Sequence, residues 1–234
     1  MYKKRKILAI IPARHGSKGL PRKNWKIINN KPLIFWTIKA AQRSKYIDDI
    51  ILTTDSNIVI KIANKMGLNN FIKRPGYLSL DSTKSSEVIL HTLKNVGLKK
   101  IIYDYFIFLE PTSPLRTHID IDKSISKLCS SQATCLLSVA KNVNQSPEFL
   151  YTINKNFYLK NYLKKTTHVR RQNIKEQTYF IDGSIYISCI KTFLKTRSLF
   201  NQIKTIPIIM NKVKSFEIDD ITDFKIIETF FKKK

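Results

Sequence analysis

The chain has 234 residues, enough to bury one sizeable α/β core but not two full ones. Its 43% hydrophobic and 11% aromatic content excludes a disordered polyelectrolyte, although the formal net charge is +25. That charge admits a nucleic-acid partner or a compositional bias toward Lys, Ile and Asn; the basic residues are dispersed, without the aromatic interleaving of a nucleic-acid surface, which favours the bias.

In chain order, residues 6–11 form a continuously apolar run, the pattern of a strand buried on both faces. A polar loop with two glycines follows over 12–24. Pro32 then opens an amphipathic helix to about residue 44. Residues 50–54 read as a second strand ending in Asp55, and 56–66 as a helix closed by Gly67. A loop around Arg74, Pro75 and Gly76 leads to a helix over 82–95. Residues 105–109 form another buried strand, stopped by Pro111 and Pro114. A helix near 119–129 and a strand near 134–139 come next. From 142 to 177 the rhythm breaks into a polar stretch rich in Lys, Asn and Tyr, read as an extended arm or subunit contact. Residues 184–188 resume the sheet and 220–231 close the chain as a helix. This alternation predicts one α/β domain over 1–234, with a mostly parallel sheet covered by helices on both faces. Ligands of such sheets sit at the carboxyl ends of the strands.

Three cysteines, Cys129, Cys135 and Cys189, show no metal spacing and leave one unpaired, which points to a reducing cytoplasm. The apolar run at 7–12 is too short for a signal sequence, and no stretch approaches the roughly 20 apolar residues of a membrane span. No membrane association is expected.

The loop at 12–24 carries Arg14, Ser17, Lys18, Arg22 and Lys23 and two of the six glycines, Gly16 and Gly19. Small residues after a strand expose backbone N–H groups that bind phosphate, and the cations add to them. The order of residues is not that of a Walker A loop, and in isolation the segment also reads as a basic surface loop. Near the C-terminus, Glu217 and Asp219 are two apart in an extended segment and share a face. Adjacent carboxylates repel unless a cation lies between them, so they read either as a magnesium site or as a solvated pair ahead of a helix.

Five ordered blocks reach further than any single motif: the loop 12–24; Arg74-Pro75 with Asp81 and Ser85; residues 109–116 (Leu-Glu-Pro-Thr-Ser-Pro-Leu-Arg); 182–187; and 215–219. In this order they resemble the CMP-sialic acid synthetase family (acylneuraminate cytidylyltransferases), which includes the legionaminic and pseudaminic acid synthetases. The resemblance implies a three-layer Rossmann-like nucleotidyltransferase fold with an extended dimerisation segment. It also implies a homodimer in which the 142–177 region reaches over the partner's active site.

By the same resemblance the substrates are CTP and a nine-carbon sugar acid, and the cofactor is Mg2+. Arg14, Ser17 and Lys23 would hold the phosphates with Lys18 beside them. Asn24, Arg74 and Ser85 would contact the cytidine. Glu217 and Asp219 would hold magnesium. Arg14, Lys23 and Asp219 would carry the catalysis. Glu110, Arg171 and Tyr186 would face the sugar, with Lys141 a weaker candidate. Three positions depart from the family pattern: Glu110 stands where Gln is usual, Asp182 where Asn is usual, and Glu217 where Asp is usual. The reaction would be in-line attack of the anomeric hydroxyl on the α-phosphate, with pyrophosphate leaving. No compelling general base stands out; a metal-bound alkoxide is the preferred nucleophile, with Glu110 a secondary candidate for the proton. The alternatives are a nucleotidyltransferase for another sugar acid such as an eight-carbon Kdo-type acid, a non-catalytic relative, and a basic nucleic-acid-binding protein.

Overall fold

Alternate residues of the first strand point into opposite layers, and this sets the architecture. In the computed structural model, which describes residues 2–96, 103–142, 147–163 and 176–232, strand β1 (Ile7–Pro12) is buried on both faces. Ile7, Ala9 and Ile11 face one side, packing with Ile34, Ile38 and Ala41 of helix α1 (Leu33–Arg43) and Val59 and Ala63 of α2 (Asn57–Lys65). Leu8 and Ile10 face the other, against Ile89 and Leu93 of α3 (Ser85–Asn95). A strand with apolar residues at every position can be satisfied only between two layers.

Around β1 lie β2 (Asp49–Thr54), β3 (Phe71–Lys73), β4 (Tyr105–Phe108), β5 (Cys135–Lys141), β6 (Tyr179–Cys189) and β7 (Thr205–Ile209). Their order in the seven-stranded sheet is β7-β5-β6-β4-β1-β2-β3. β1 runs parallel to β2 (Leu8 opposite Asp49) and to β4 (Ile7 opposite Tyr105). Only β6 runs antiparallel, to both β4 and β5, so the sheet is mostly parallel as expected. The remaining helices are α4 (His118–Cys129), α5 (Ile190–Thr196) and α6 (Ile221–Lys232).

Local signals placed several boundaries. Ser56 caps α2 by accepting a hydrogen bond from the Val59 N–H, and Gly67 ends that turn at φ +77°. Pro32 stands just outside α1 rather than in its first turn. Elsewhere the elements extend beyond what the local pattern predicts. β3 and β7 are edge strands that periodicity did not show; β7 contains Pro207, tolerated because an edge leaves one side of the ladder unpaired. Helix α5 was likewise unanticipated. β6 begins at Tyr179, not Ser184, because a bulge between Ile181 and Tyr186 carries the turn-like Asp182-Gly183 pair inside the strand.

Within the region 142–177, the described part holds a short 3-10 turn at Pro147–Phe149. It also holds a small antiparallel hairpin, Tyr151–Ile153 with Leu159–Asn161. A third apolar cluster joins the start of the chain to its end: Leu20, Ile28 and Leu33 pack with Ile218, Phe224 and Ile227. Among the described residues, no helix is long and apolar enough to cross a membrane.

Candidate active site

The connections from β1 lead to β2 on one side and, later in the chain, to β4 on the other. A crevice opens at the carboxyl ends of strands where such an order reverses. Here it is a cleft of about 290 Å³, bounded by the loop after β1, the segment after β3, the turn after β4 and the segment before α6.

The loop after β1 is held in shape by its own polar groups. Asn24 Nδ2 donates to the Arg14 carbonyl at 2.8 Å, and the His15 N–H donates to Asp55 Oδ1 at 2.6 Å. Gly19 lies so close to Asp219 that a Cβ would overlap that residue's carbonyl oxygen, so a glycine is needed for this close approach. The first and last motif blocks therefore meet.

One half of the cleft is basic. Arg14, Ser17, Lys23, Asn24, Arg74 and Ser85 all line it. Arg74 is only 5% exposed; its Nη2 donates to the Thr53 carbonyl at 2.9 Å, while its Nε has no partner. Burial pulls the Arg74 guanidinium down to about 10, with nearby Asp55 opposing. Arg14 donates to Asp81 Oδ1, and Lys18 Nζ lies 3.5 Å from Asp81 Oδ2. The hydrogen bond from Arg14 holds the Asp81 carboxyl below the usual carboxylate range. Lys18 itself is largely exposed and reaches the cleft only through Asp81.

The other half is acidic. Glu110, Glu217 and Asp219 line it. Lys23 Nζ donates to the Ile218 carbonyl at 2.7 Å and lies 3.4 Å from Asp219 Oδ1. Ser113 Oγ donates to Glu217 Oε1 at 3.4 Å, and the Ile218 N–H donates to the Thr112 carbonyl at 2.9 Å, which docks the acidic segment on the turn after β4. Gly183, at φ +69°, packs against the Glu217 carboxylate so closely that a Cβ would overlap it. Burial pushes Glu110 up to about 7, with Arg116 opposing and Asp219 adding. Burial also pushes Glu217 up to about 8, with Glu110, Asp219 and Asp182 adding.

Tyr186 stands behind this wall rather than on it, its hydroxyl raised by burial and then by Glu110 and Glu217. Lys141 ends β5. Arg171 lies outside the described residues. Asp182 is buried in the bulge of β6, where Oδ1 accepts from Ser138 Oγ and from the Ser184 N–H at 3.0 Å.

Among the described residues, no three His, Cys, Asp or Glu side chains form a metal-holding group. A carboxylate pair in which Asp219 adds to the raised proton affinity of Glu217 nevertheless suits magnesium, which takes one or two carboxylates and completes its shell with water and phosphate oxygens. Two residues received no role from the sequence alone, Asp81 and Arg116. Asp81 carried one signal, its place in the second of the five blocks; Arg116 closes the 109–116 block but looks there like an ordinary turn cation.

A family model described as cytidylyltransferase matches residues 8–234. The N-acylneuraminate cytidylyltransferase of Escherichia coli O18:K1:H7 is 34% identical over 98% of this chain and 53% of its own length. The post-translational flagellin modification protein B of Campylobacter coli is 33% identical over 97% of this chain and 96% of its own. The CMP-N,N'-diacetyllegionaminic acid synthase of Legionella pneumophila is 28% identical over 95% of each. The chain thus spans about half the length of the N-acylneuraminate cytidylyltransferases it matches and nearly all of the other two. Among solved structures, a CMP:2-keto-3-deoxy-manno-octonic acid synthetase complexed with CTP shares the fold. Its TM-score is 0.71 at 15% identity, over 97% of this chain and 99% of the other.

Proposed function

Because the chain belongs to the cytidylyltransferase family, we propose that it transfers CMP from CTP to a sialic-acid-like, nine-carbon sugar acid with release of pyrophosphate. The observation that carries this reading is Lys23. Its ammonium joins the phosphate-type loop to the acidic segment 195 positions later, so cations for phosphate and carboxylates for a metal line one cleft.

Arg14, Ser17 and Lys18 would bind the β- and γ-phosphates, and Lys23 would bind the α-phosphate beside the acidic half. Asn24, Arg74 and Ser85 would hold the cytidine, with the buried Arg74 Nε the donor still without an acceptor. Glu217 and Asp219 would hold Mg2+, which supplies charge neutralisation on the phosphates. The sugar's anomeric oxygen would form a bond to the α-phosphorus while the bond to the bridging oxygen breaks, and Lys23 and Arg14 would receive the charge on the leaving pyrophosphate. Glu110, with its proton affinity near neutrality and no hydrogen bond to its carboxylate among the described residues, is the group for the hydroxyl proton.

We also place the enzyme in the cytoplasm, where its three free cysteines remain reduced, with residues 1–234 forming one catalytic domain and acting as a homodimer. The arm supports the dimer: Ile153, Phe157, Tyr158, Leu159 and Tyr162 are each at least 64% exposed, an apolar surface that a partner would cover. The test of function is product mass. CTP and Mg2+ incubated with sialic, legionaminic and pseudaminic acids in turn should give one CMP-sugar and pyrophosphate. Product only from an eight-carbon acid, or from another nucleotide, would overturn the assignment.

A further inference from the structure

Arg116 is a charged side chain with almost no surface, 2% exposed, and among the described residues it has no carboxylate within ion-pair distance. Its acceptors are neutral. Nη1 donates to the Glu110 carbonyl at 3.2 Å and the Ser184 carbonyl at 2.6 Å, Nη2 donates to Thr37 Oγ1 at 2.8 Å, and Nε has no partner. Burying a guanidinium in this way is costly, and an apolar side chain would hold three elements together as well or better. What an apolar residue lacks is the fork and the charge.

Both have something to act on. One arm of the fork fixes the backbone of Glu110, whose carboxylate faces the cleft. The same nitrogen fixes Ser184, next to the glycine on which the Glu217 carboxylate rests. The other arm ties both to helix α1 through Thr37. Four carboxylates, Glu110, Asp120, Asp182 and Glu217, surround the guanidinium, which balances them from behind as Lys23 does from the cleft.

We propose that Arg116 is a positioning residue for the transfer reaction, setting Glu110 against the Glu217–Asp219 pair so that sugar hydroxyl and α-phosphate meet in line. The inference rests on the cytidylyltransfer reading above. Misplacement of a reacting group by about 1 Å reduces rates on the order of 100-fold, while binding groups elsewhere are unaffected. Arg116 touches none of the residues of the nucleotide half.

The test compares Arg116→Lys, which keeps the charge and loses the fork, with Thr37→Val, which removes one arm's acceptor at a residue that does not line the cleft. For each, the melting temperature, the calorimetric affinity for CTP with Mg2+ in the absence of sugar acid, and steady-state kcat and KM are measured. CTP affinity and KM are expected within about two-fold of wild type, with kcat reduced about 30-fold or more in Arg116→Lys and about three- to ten-fold in Thr37→Val. Thr37→Val should add less than its own factor to Glu110→Gln, since both act through one group. The proposal is overturned by a folded Arg116→Lys, or by Thr37→Val if the lysine variant does not fold, with kcat within two-fold of wild type. A parallel fall of kcat and CTP affinity that tracks the folded fraction overturns it as well. A wild type that makes no CMP-sugar from any nine-carbon acid strikes the cytidylyltransfer reading itself and takes the proposal down with it.

Discussion

The ammonium of Lys23 donates to the carbonyl oxygen of Ile218 at 2.7 Å and stands 3.4 Å from the carboxylate of its neighbour Asp219. A lysine that is 12% exposed in its side chain is thereby held at the border of a basic and an acidic half-site. The two halves separate the demands of the chemistry: cations where three phosphates would lie, carboxylates where a metal and a hydroxyl proton would be handled.

Lys23→Ala removes the charge at that border. One well-placed donor to a transferring group is worth roughly 10²–10³ in rate, so kcat should fall by about that factor. Stability should change little by comparison, by about 1 kcal/mol for the lost hydrogen bond to Ile218. Steady-state kinetics and a thermal melt on the same preparation check both. Retention of most of the activity would remove Lys23 from the phosphate site.

Asp81 already occupies the cations that the proposed triphosphate would need, accepting from Arg14 and facing Lys18. Its side chain is 34% exposed, so each pair is weak, worth a factor of a few at most. Asp81→Asn should therefore tighten the binding of inorganic pyrophosphate by about three- to ten-fold in titration calorimetry, most clearly at low salt. Weaker binding in the variant would mean that Asp81 holds the cations in place for the ligand instead of competing with it.

Much of the basic half of the cleft was legible in the sequence, because it is built from local signals. The apolar run of β1, the cap at Ser56 and the loop of cations are contiguous, and Arg14, Ser17, Lys23, Asn24, Arg74 and Ser85 do line one cleft. The acidic half was less legible. That Gly183 packs on Glu217, and that Arg116 turns inward to Thr37 and Ser184, depends on contacts 34 to 79 positions apart. Nothing local distinguishes such an arginine from a solvated one. The bulge in β6 hid the strand for the opposite reason: its Asp182-Gly183 pair has the local chemistry of a turn, and cross-strand pairing overrides it.

Gly183→Ala and Gly67→Ala form a matched pair. Both glycines have positive φ, +69° and +77°, so each alanine bears a similar backbone strain of about 1 kcal/mol. Open space surrounds Gly67, whereas a Cβ at Gly183 meets the Glu217 carboxylate. Gly67→Ala should only lower the melting temperature. Gly183→Ala should in addition raise the magnesium concentration required for half-maximal activity by about ten-fold, through displacement of Glu217. Equal magnesium titrations in the two variants would separate Glu217 from the metal site.

The same carboxylates predict how stability responds to pH. Glu110 and Glu217 titrate near 4.5 when exposed, and burial raises them to about 7 and about 8 in the fold. Across that interval the metal-free folded chain holds more protons than the unfolded chain, so stability falls as pH rises and the loss is complete only above the folded values. His91 acts in the opposite direction, since burial lowers it from 6.5 and its contribution is lost as pH falls below that value. Asp81 and Asp120, both lowered, matter only in acid. The window from pH 6.5 to 8.5 lies above the range of His91 and of the lowered aspartates; Asp182 and Cys129, both raised by burial, are common to wild type and a Glu217 variant. Surface charge also changes there, so the informative quantity is a difference in slope. The melting temperature of metal-free wild type should decline more steeply with pH than that of Glu217→Gln, and CTP with Mg2+ should flatten the wild-type curve by favouring the ionised carboxylates. Parallel curves for the two proteins would show that Glu217 is solvated and ionised throughout, and would leave the acidic half without the buried, crowded carboxylate from which its metal affinity is argued.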